Sequence, residues 1–449
     1  MNHEGSTATG RRSPLAKVLS ALPPGTQLVI GGTVLLGAAS YVHLMAAGYS
    51  LSKPDMASVS LLWTILMSVG LGLFFPVEQE LTRIVAARVV GGQGVAPVLR
   101  RTLAITVAML VVLTGGMAIA VRPLADTFFD GRTDMVLALA AAFVAMAAGN
   151  VTRGVLAGLG RFGAYGTQLA VDGALRIAIA VGCALGHVRS PLLFALILTA
   201  APLVAVLITL RPLLSGVRKG PQVAWSALTS GLAPLVASTL LSQVVVNAAV
   251  VSTQLLAPDN AALVAGLLNA VVLARVPLFV FGSLQASLLA GLSSSAAAGD
   301  RSGFSKLLAR TCMVVTVLGL AGGIPATILG PWLIQVLFKA DDVLGSLDFL
   351  WMSAGTICYM LAMVLGQALL VLHRHRLQLL GWALGTVALI VTTLVPGPIA
   401  TKVCLAYTLG SLTAVVCMFA AVRLTFLREP PAAQSGADQS TRPSLVDTV

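Results

Sequence analysis

The sequence predicts an all-α polytopic membrane protein with about twelve transmembrane helices in two pseudo-symmetric six-helix lobes. The 449 residues are 57% hydrophobic and only 10% charged, whereas a soluble domain carries roughly 25% charged residues. Apolar stretches of about twenty residues recur along the whole chain, and each is long enough to cross a hydrocarbon core of ~30 Å. Basic residues concentrate in alternate connections between these stretches, as in polytopic membrane proteins. The short alternating segments typical of a membrane barrel are absent from the sequence.

Apolar stretches place the individual helices along the chain. The first span follows Arg11, Arg12 and Lys17 and has no convincing cleavage site, so it is interpreted as an uncleaved helix rather than a signal peptide. The eighth is longer than a bilayer requires and is expected to tilt or to continue along the interface. The twelve spans are expected at residues 27–48, 56–77, 102–121, 135–152, 166–186, 191–210, 229–255, 262–291, 311–330, 347–371, 378–396 and 401–422.

The distribution of positive charge predicts the orientation. With the N-terminus in the cytoplasm, 20 of the 28 Lys and Arg residues fall on the inner side and 6 on the outer side, while Arg176 and Arg275 fall inside spans. Cytoplasmic loops carry the excess of basic residues, so both termini are predicted to lie on the cytoplasmic side of the cell membrane. The net charge of +12 then reflects membrane orientation, and nucleic-acid binding is not expected.

The two halves of the chain resemble each other. The second span is followed by IVAARVVGGQGVAPVLRRT (84–102) and the eighth by LSSSAAAGDRSGFSKLLART (292–311). Both are expected to be long amphipathic inner loops that enter the next span through a basic segment. The predicted organisation is therefore a cytoplasmic N-terminal segment (1–25), an N-lobe with six helices (26–215), a C-lobe with six helices (216–425) and a disordered cytoplasmic tail (426–449).

Three stretches resemble a known group of transporters. They are GLFFPVEQELTRIVAAR (72–88), RGVLAGLGRFGAYGTQLAVDGALRI (153–177) and LARVPLFVFGSLQASLLAGLS (273–293). With them, residues 15–425 resemble the flippase and exporter superfamily (MOP) that contains the polysaccharide and lipid-linked oligosaccharide flippases and the MATE multidrug exporters. The resemblance implies a MATE/flippase-like fold and alternating access to a central cavity, lined mainly by the first, second, seventh and eighth helices.

A cation inside the eighth span is the leading candidate for substrate binding. Arg275 lies two residues before Pro277, and a charge within a span costs ~2.5–3.5 kcal/mol on insertion scales. Its guanidinium suits a diphosphate, and the resemblance agrees, because lipid-linked sugar flippases use cavity arginines against the pyrophosphate. The open alternative is an arginine that snorkels or satisfies carbonyls freed by Pro277. Neutral candidates for the same cavity, with hydrogen bonding between helices as the alternative, are His43, Gln243, Asn247, Asn269 and Gln285.

A second set of charged residues is expected to act as a gate or in energy coupling. Asp172 and Arg176 lie one turn apart on the fifth span and can pair, either as a structural ion pair or as a proton- or ion-linked switch at Asp172. Three charged residues follow Pro76 at the inner end of the second helix. They are expected to form an inner gate or a site where the head group enters, or else a solvated amphipathic extension. These residues are Glu78, Glu80 and Arg83.

Two further arginines, Arg153 and Arg161, flank the link between the fourth and fifth spans and are expected at the membrane interface.

No cofactor, metal site or catalytic residue is expected. The chain contains no GxxxxGK[ST] loop. The five cysteines fall within spans, lack metal-ligand spacing and are interpreted as small hydrophobic packing residues: Cys183, Cys312, Cys358, Cys404 and Cys417.

The leading hypothesis is a flippase, not an enzyme, that moves a lipid-linked oligosaccharide or another cell-envelope glycolipid precursor across the cytoplasmic membrane. The expected partners are that lipid-linked glycan or another anionic amphipathic substrate, membrane lipids and proteins of envelope biosynthesis. A MATE-type exporter of small molecules or drugs is the alternative. A membrane-embedded glycosyltransferase is disfavoured because the outer loops are short.

Overall fold

The computed structural model describes residues 25–256, 276–338 and 344–428. Within these ranges every regular element is helical, which confirms the predicted all-α class. The elements are α1 (Thr26–Ser50), α2 (Lys53–Ile65), a π-helical segment (Leu66–Gly70), α3 (Leu71–Val90), α4 (Ala96–Ile119), α5 (Val121–Phe128), α6 (Thr133–Gly158), α7 (Phe162–Leu185), α8 (Pro191–Leu214), α9 (Trp225–Leu256), α10 (Val276–Ala297), α11 (Arg301–Phe338), α12 (Ser346–Val371), α13 (His375–Leu394) and α14 (Ile399–Arg428).

Eleven segments of the described chain are long and apolar enough to cross a membrane. The second runs through α2, the π-helical segment and α3 as a single span of 37 residues from Pro54 to Val90. Helix α10 is not among the eleven, and the first part of the expected eighth span, together with Arg275 and Asn269, lies outside the described residues. The eleven spans support the prediction of a multi-pass membrane protein.

The prediction of two long inner loops was wrong. Helix α3 continues to Val90 and α4 begins at Ala96, so only five residues of the segment 84–102 are not helical. The segment 292–311 is likewise helical except for a turn at Ala298–Asp300. Both turns contain a glycine with positive φ, Gly92 (64°) and Gly299 (69°), a conformation that glycine adopts without steric cost. The amphipathic sequence on either side therefore extends the neighbouring helices rather than forming loops.

Helix packing repeats in the two halves of the chain. In the first lobe (α1–α8), α1 packs on α7, α3 on α6, α6 on α8, and α7 on α8. In the second lobe (α9–α14), the corresponding pairs are α9 on α13, α10 on α12, α12 on α14, and α13 on α14. The same pairing order in each half gives the predicted two pseudo-symmetric lobes. The lobes meet where α10 contacts α1 and α3 and where α9 contacts α3.

One end of the molecule, here called the basic end, is formed by the connections at 91–95, 159–161, 215–224, 298–300 and 372–374. It is the side that the charge count predicts to be cytoplasmic. The connection between the lobes lies against the α3–α4 turn here. The N–H of Ala96 donates to the carbonyl of Arg218 (3.0 Å), and Arg88 donates to the carbonyl of Pro221 (2.7 Å). These bonds fix the connection between the lobes to the first lobe at this end.

Ion pairs at the opposite end join the second and fourth spans. Arg132, immediately before α6, bonds Asp134 (3.1 Å) and Asp55 of α2 (2.9 Å). The bond to Asp134 and the charges of both acids raise the pKa of Arg132 above its usual value. This partly exposed pair contributes little stability on its own and links the start of α2 to the start of α6.

Glycines bring α1 and α7 into backbone contact. A Cβ on Gly32 would lie 2.5 Å from the carbonyl oxygen of Gly166, and a Cβ on Gly166 would collide with the backbone of Leu28 and Val29. Close approach through small residues is how helices associate within a bilayer, where lipid is as apolar as the helix surface. The α1–α7 pair is therefore specified by residue size rather than by hydrophobicity.

Substitution of Gly166 by alanine should lower the thermal unfolding midpoint of the detergent-solubilised protein. The added methyl group meets backbone that cannot rotate away, and overpacking of this kind costs about 1–3 kcal/mol. The matched control is Gly163→Ala on the same helix, where the new Cβ would lie 4.0 Å from Leu28 Cδ1 and helix propensity favours alanine by about 1 kcal/mol. Equal midpoints for the two variants would contradict the proposed α1–α7 contact.

Candidate functional site

The charged segment at the inner end of α3 is buried. Glu78, Glu80 and Arg83 expose only 4%, 3% and 6% of their surface. Helix α3 lies between α6 of its own lobe and α9 and α10 of the other. The alternative of a solvated amphipathic extension was therefore wrong, because the polar face of this helix is covered by neighbouring helices rather than by water.

Glu78 joins three helices of the first lobe. It accepts a hydrogen bond from Arg153 Nε of α6 (3.0 Å) and another from the hydroxyl of Tyr165 of α7 (2.8 Å). The guanidinium of Arg153 is covered by protein in this largely buried pair, and its expected position at the membrane interface stays a prediction. Arg161 is partly buried and donates to the carbonyl of Pro212 and to Ser215 Oγ at the end of α8.

Glu80 and Arg83 form a pair that reaches the other lobe. Arg83 donates from Nε and Nη2 to the two carboxylate oxygens of Glu80 (3.0 and 2.5 Å), and its Nη1 lies 3.0 Å from Nε2 of His373. His373 lies between α12 and α13, 290 residues away in sequence. Burial and the charge of Arg83 lower the pKa of His373 below its usual value, so the imidazole is neutral near pH 7 and can accept from Arg83.

Sequence reasoning missed His373. The segment LLVLHRHRL (369–377) stands out only as a short basic connection, and nothing in it indicates a partner on α3. Its backbone is unusual, since His373 has a φ of 56°, a region that few residues other than glycine adopt. This turn presents the imidazole to Arg83 and completes a contact between the two lobes at the basic end.

A small cavity of about 20 Å³, lined by both polar and apolar side chains, lies between the lobes, deeper than the Arg83–His373 contact. That volume suffices for one water molecule. Gln285 of α10 lines it opposite Glu78 and Gln79 of α3, and Gln367 of α12 contributes an amide oxygen without a hydrogen-bond partner. The structure therefore brings together two residues that the sequence singled out separately, Glu78 and Gln285. Gln79 and Gln367 were not predicted.

A second buried cluster lies within the first lobe. Arg176 donates from Nη2 to Asp172 Oδ1 (2.9 Å) on α7, and both residues are buried. His43 of α1 is fully buried, has no hydrogen-bond partner at either ring nitrogen, and stands edge-on to Phe194 of α8. The predicted pairing of Asp172 with Arg176 is thus present in the structure. His43 lies inside the lobe against α8.

The remaining predicted residues lie on α9 or outside the described ranges. Gln243 and Asn247 are partly buried, and Asn247 donates from Nδ2 to the carbonyl of Gln243 (2.8 Å). Arg275 and Asn269 lie outside the described residues. In the described part of the chain, no group of three or more His, Cys, Asp or Glu residues is placed to hold a metal ion. The five cysteines are free thiols.

Comparison with protein-family models finds no match. Among curated proteins, the chain is 27% identical over 408 residues to the uncharacterized protein Rv1510 of Mycobacterium tuberculosis (strain H37Rv), covering 87% of this chain and 89% of that protein. It is 24% identical over 264 residues to the uncharacterized protein Rv3630 of the same strain, covering 58% of this chain and 60% of that protein. Both are mycobacterial proteins that the chain resembles in sequence.

Solved structures decide the fold. A mutant of the Vibrio cholerae MATE transporter VcmN superimposes with a TM-score of 0.76 at 15% identity, covering 90% of this chain and 96% of that chain. An outward-facing multidrug resistance MATE transporter of the MOP superfamily superimposes with a TM-score of 0.76 at 12% identity, covering 92% of this chain and 98% of that chain. The fold is that of the MATE transporters. A MOP superfamily transporter from Pyrococcus furiosus is described as having a binding pocket of reversed polarity. It superimposes with a TM-score of 0.74 at 13% identity, covering 91% of this chain and 97% of that chain.

Replacement of Arg153 by methionine should strongly destabilise the protein. Removal of one partner leaves the buried Glu78 uncompensated, which typically costs about 3–5 kcal/mol. The double variant Arg153→Met/Glu78→Gln removes both charges and should recover most of the loss. Thermal unfolding in detergent of the wild type, the two single variants and the double variant measures the coupling between the two sites. Strictly additive effects would show that the two residues do not interact.

Proposed function

We propose that the protein is a flippase that moves a lipid-linked oligosaccharide, or another cell-envelope glycolipid precursor with an anionic head group, across the cytoplasmic membrane. The observation that carries the proposal is the charge balance inside a MATE fold. Three buried carboxylates of the described spans are each held by an arginine: Glu78 by Arg153, Glu80 by Arg83 and Asp172 by Arg176. These acids are already neutralised and do not offer a cationic cargo a free carboxylate.

The fourth buried acid among the described residues is held by neutral hydrogen-bond donors rather than by an arginine. Asp348, at the first turn of α12, accepts hydrogen bonds from the N–H of Gly345 (3.0 Å) and from the hydroxyl of Thr401 (2.7 Å). Arg275 adds a cation to the eighth span, and the sequence contains no acid between Asp259 and Asp300 to neutralise it locally. The interior charge therefore favours an anionic head group, which guanidinium recognises through paired hydrogen bonds.

Alternating access accounts for the two lobes and for their contact at the basic end. In the described conformation, Arg83 and His373 join the lobes at that end, and the small cavity lined by Glu78 and Gln285 lies behind them. Rocking of one lobe against the other would break this contact and open the cavity toward the predicted cytoplasmic side. The polar head would cross inside the protein while the lipid tail stays in the bilayer. This process needs no covalent chemistry, so the proposal describes a transporter rather than an enzyme.

A MATE-type exporter of small molecules is the second candidate. The solved structures with this fold include a multidrug resistance transporter, and the first lobe contains the buried Asp172–Arg176 pair and the unpaired imidazole of His43, which suit a proton-linked switch. The Pyrococcus furiosus structure, described as having a pocket of reversed polarity, suggests that one fold accommodates cargo of either charge. The cargo therefore distinguishes the two candidates more directly than the fold does.

The purified protein, reconstituted in vesicles, should flip a fluorescent polyprenyl-diphosphate oligosaccharide, measured by quenching of the outer leaflet with dithionite. Arg275→Ala should reduce the flipping rate at least about tenfold, because hydrogen bonds to a charged group are lost. The matched control is Arg100→Ala, an exposed arginine at the basic end, which should flip at the wild-type rate.

Full flipping by Arg275→Ala would contradict the role of this arginine. Transport of ethidium by vesicles that do not flip the glycolipid would reject the proposed cargo in favour of the exporter.

A further inference from the structure

An open pocket of about 360 Å³ lies at the seam between the lobes on the basic end. The first lobe contributes most of its lining, and the second contributes residues from the start of α9 and from the α12–α13 turn. Its volume falls in the range of small-molecule sites, about 300–1,000 Å³. The lining residues are Arg83, Ile84, Ala87, Arg88, Gln93, Val223, Ser230 and His373.

The two arginines of this pocket are held in place by bonds that leave donors unused. Arg83 has five N–H donors, of which three serve the contacts with Glu80 and His373. Arg88 donates from Nε to the carbonyl of Gly94 (3.1 Å) and from Nη2 to that of Pro221 (2.7 Å), which occupies two of its five donors. Side chains fixed in this way lose little conformational entropy when a ligand binds, so the pocket is preorganised.

The charge of the pocket is positive. Its described lining includes two arginines and no acid, and Glu80, beside Arg83, cancels only one of the two charges. Arg218 and Lys219 in the connection between the lobes and Arg374 and Arg376 after His373 add to the potential at this end. Gln93, Ser230 and His373 supply neutral hydrogen-bonding groups. Guanidinium groups bind phosphate bidentately, and the surrounding cations raise the local concentration of anions.

We propose that this pocket binds a phosphate or diphosphate group through Arg83, Arg88 and His373. The group belongs either to a soluble anion or to the head of a membrane lipid, and the proposal does not depend on which cargo the protein transports. A ligand in this position contacts both lobes. It therefore favours the conformation in which they meet at the basic end, because a ligand shifts an equilibrium toward the state that it binds better.

The test uses the full-length protein in nanodiscs and two probes, sodium diphosphate in solution and polyprenyl diphosphate in the bilayer. Either probe should raise the thermal unfolding midpoint in a concentration-dependent manner at constant ionic strength. Arg88→Gln should weaken the apparent affinity at least about tenfold, because a charged donor is lost. His373→Asn provides a second variant in case Arg88→Gln fails to fold. The matched control is Arg376→Gln, an exposed arginine at the same end that does not line the pocket.

The two probes separate the sources of the anion. A response to sodium diphosphate in nanodiscs without polyprenyl diphosphate supports the site and identifies a soluble ligand. A response to the lipid probe alone supports the site and identifies a lipid head group. The proposal is overturned if neither probe shifts the midpoint, if sodium chloride at equal ionic strength gives the same shift, or if Arg376→Gln loses as much affinity as the pocket variants.

Discussion

A carboxylate inside an apolar helix bundle must be neutralised where it stands, because an unpaired buried charge costs several kcal/mol. This constraint organises the charged interior of the protein. Glu78 ties α3 to α6 and α7 through Arg153 and Tyr165, while Asp172 is satisfied by Arg176 on its own helix. The glycines that bring α1 against the backbone of α7 complete a first lobe whose helices are held by contacts that are costly to break.

The contacts between the lobes are of a different kind. The hydrogen bond that crosses the seam at the basic end joins Arg83 to a partly exposed, neutral histidine, and Arg83 keeps its carboxylate partner, Glu80, when that bond is lost. Behind it, the amides of Gln79, Gln285 and Gln367 line a cavity that one water can fill. Such groups exchange protein partners for water at small net cost. The structure thus combines lobes tied internally by buried ion pairs with a seam whose separation would leave no charge unpaired, as the proposed rocking of the two lobes requires.

The sequence predicts the fold well because the length of the apolar stretches and the distribution of basic residues between the connections can both be read from local sequence. Neither feature requires high sequence identity to a known structure. It also identified the pairing of Asp172 with Arg176, since residues four apart on a helix must be neighbours. It did not predict the pairing of Arg153 with Glu78 and missed His373, because the partners of these residues lie on helices distant in sequence. The burial of Glu78, Glu80 and Arg83 could not be predicted from the sequence either. A polar helix face that follows a span has the same sequence pattern whether water or the other lobe covers it.

The central claim, that one lobe rocks against the other, is tested most directly by locking the contact between α1 and α10, where the lobes meet. A Cβ on Gly282 would lie 4.0 Å from Thr33 Cγ2, so cysteines at the two positions would face each other across this contact. The five native cysteines are first replaced, and Thr33→Cys and Gly282→Cys are introduced as the cross-linking pair. A third substitution, Gln79→Cys, reports access to the cavity. The protein is labelled with maleimide in vesicles, and labelling at residue 79 is then measured by mass spectrometry. The account predicts steady labelling in the reduced protein and strongly slowed labelling after oxidation. Equal labelling rates in the two states would contradict it.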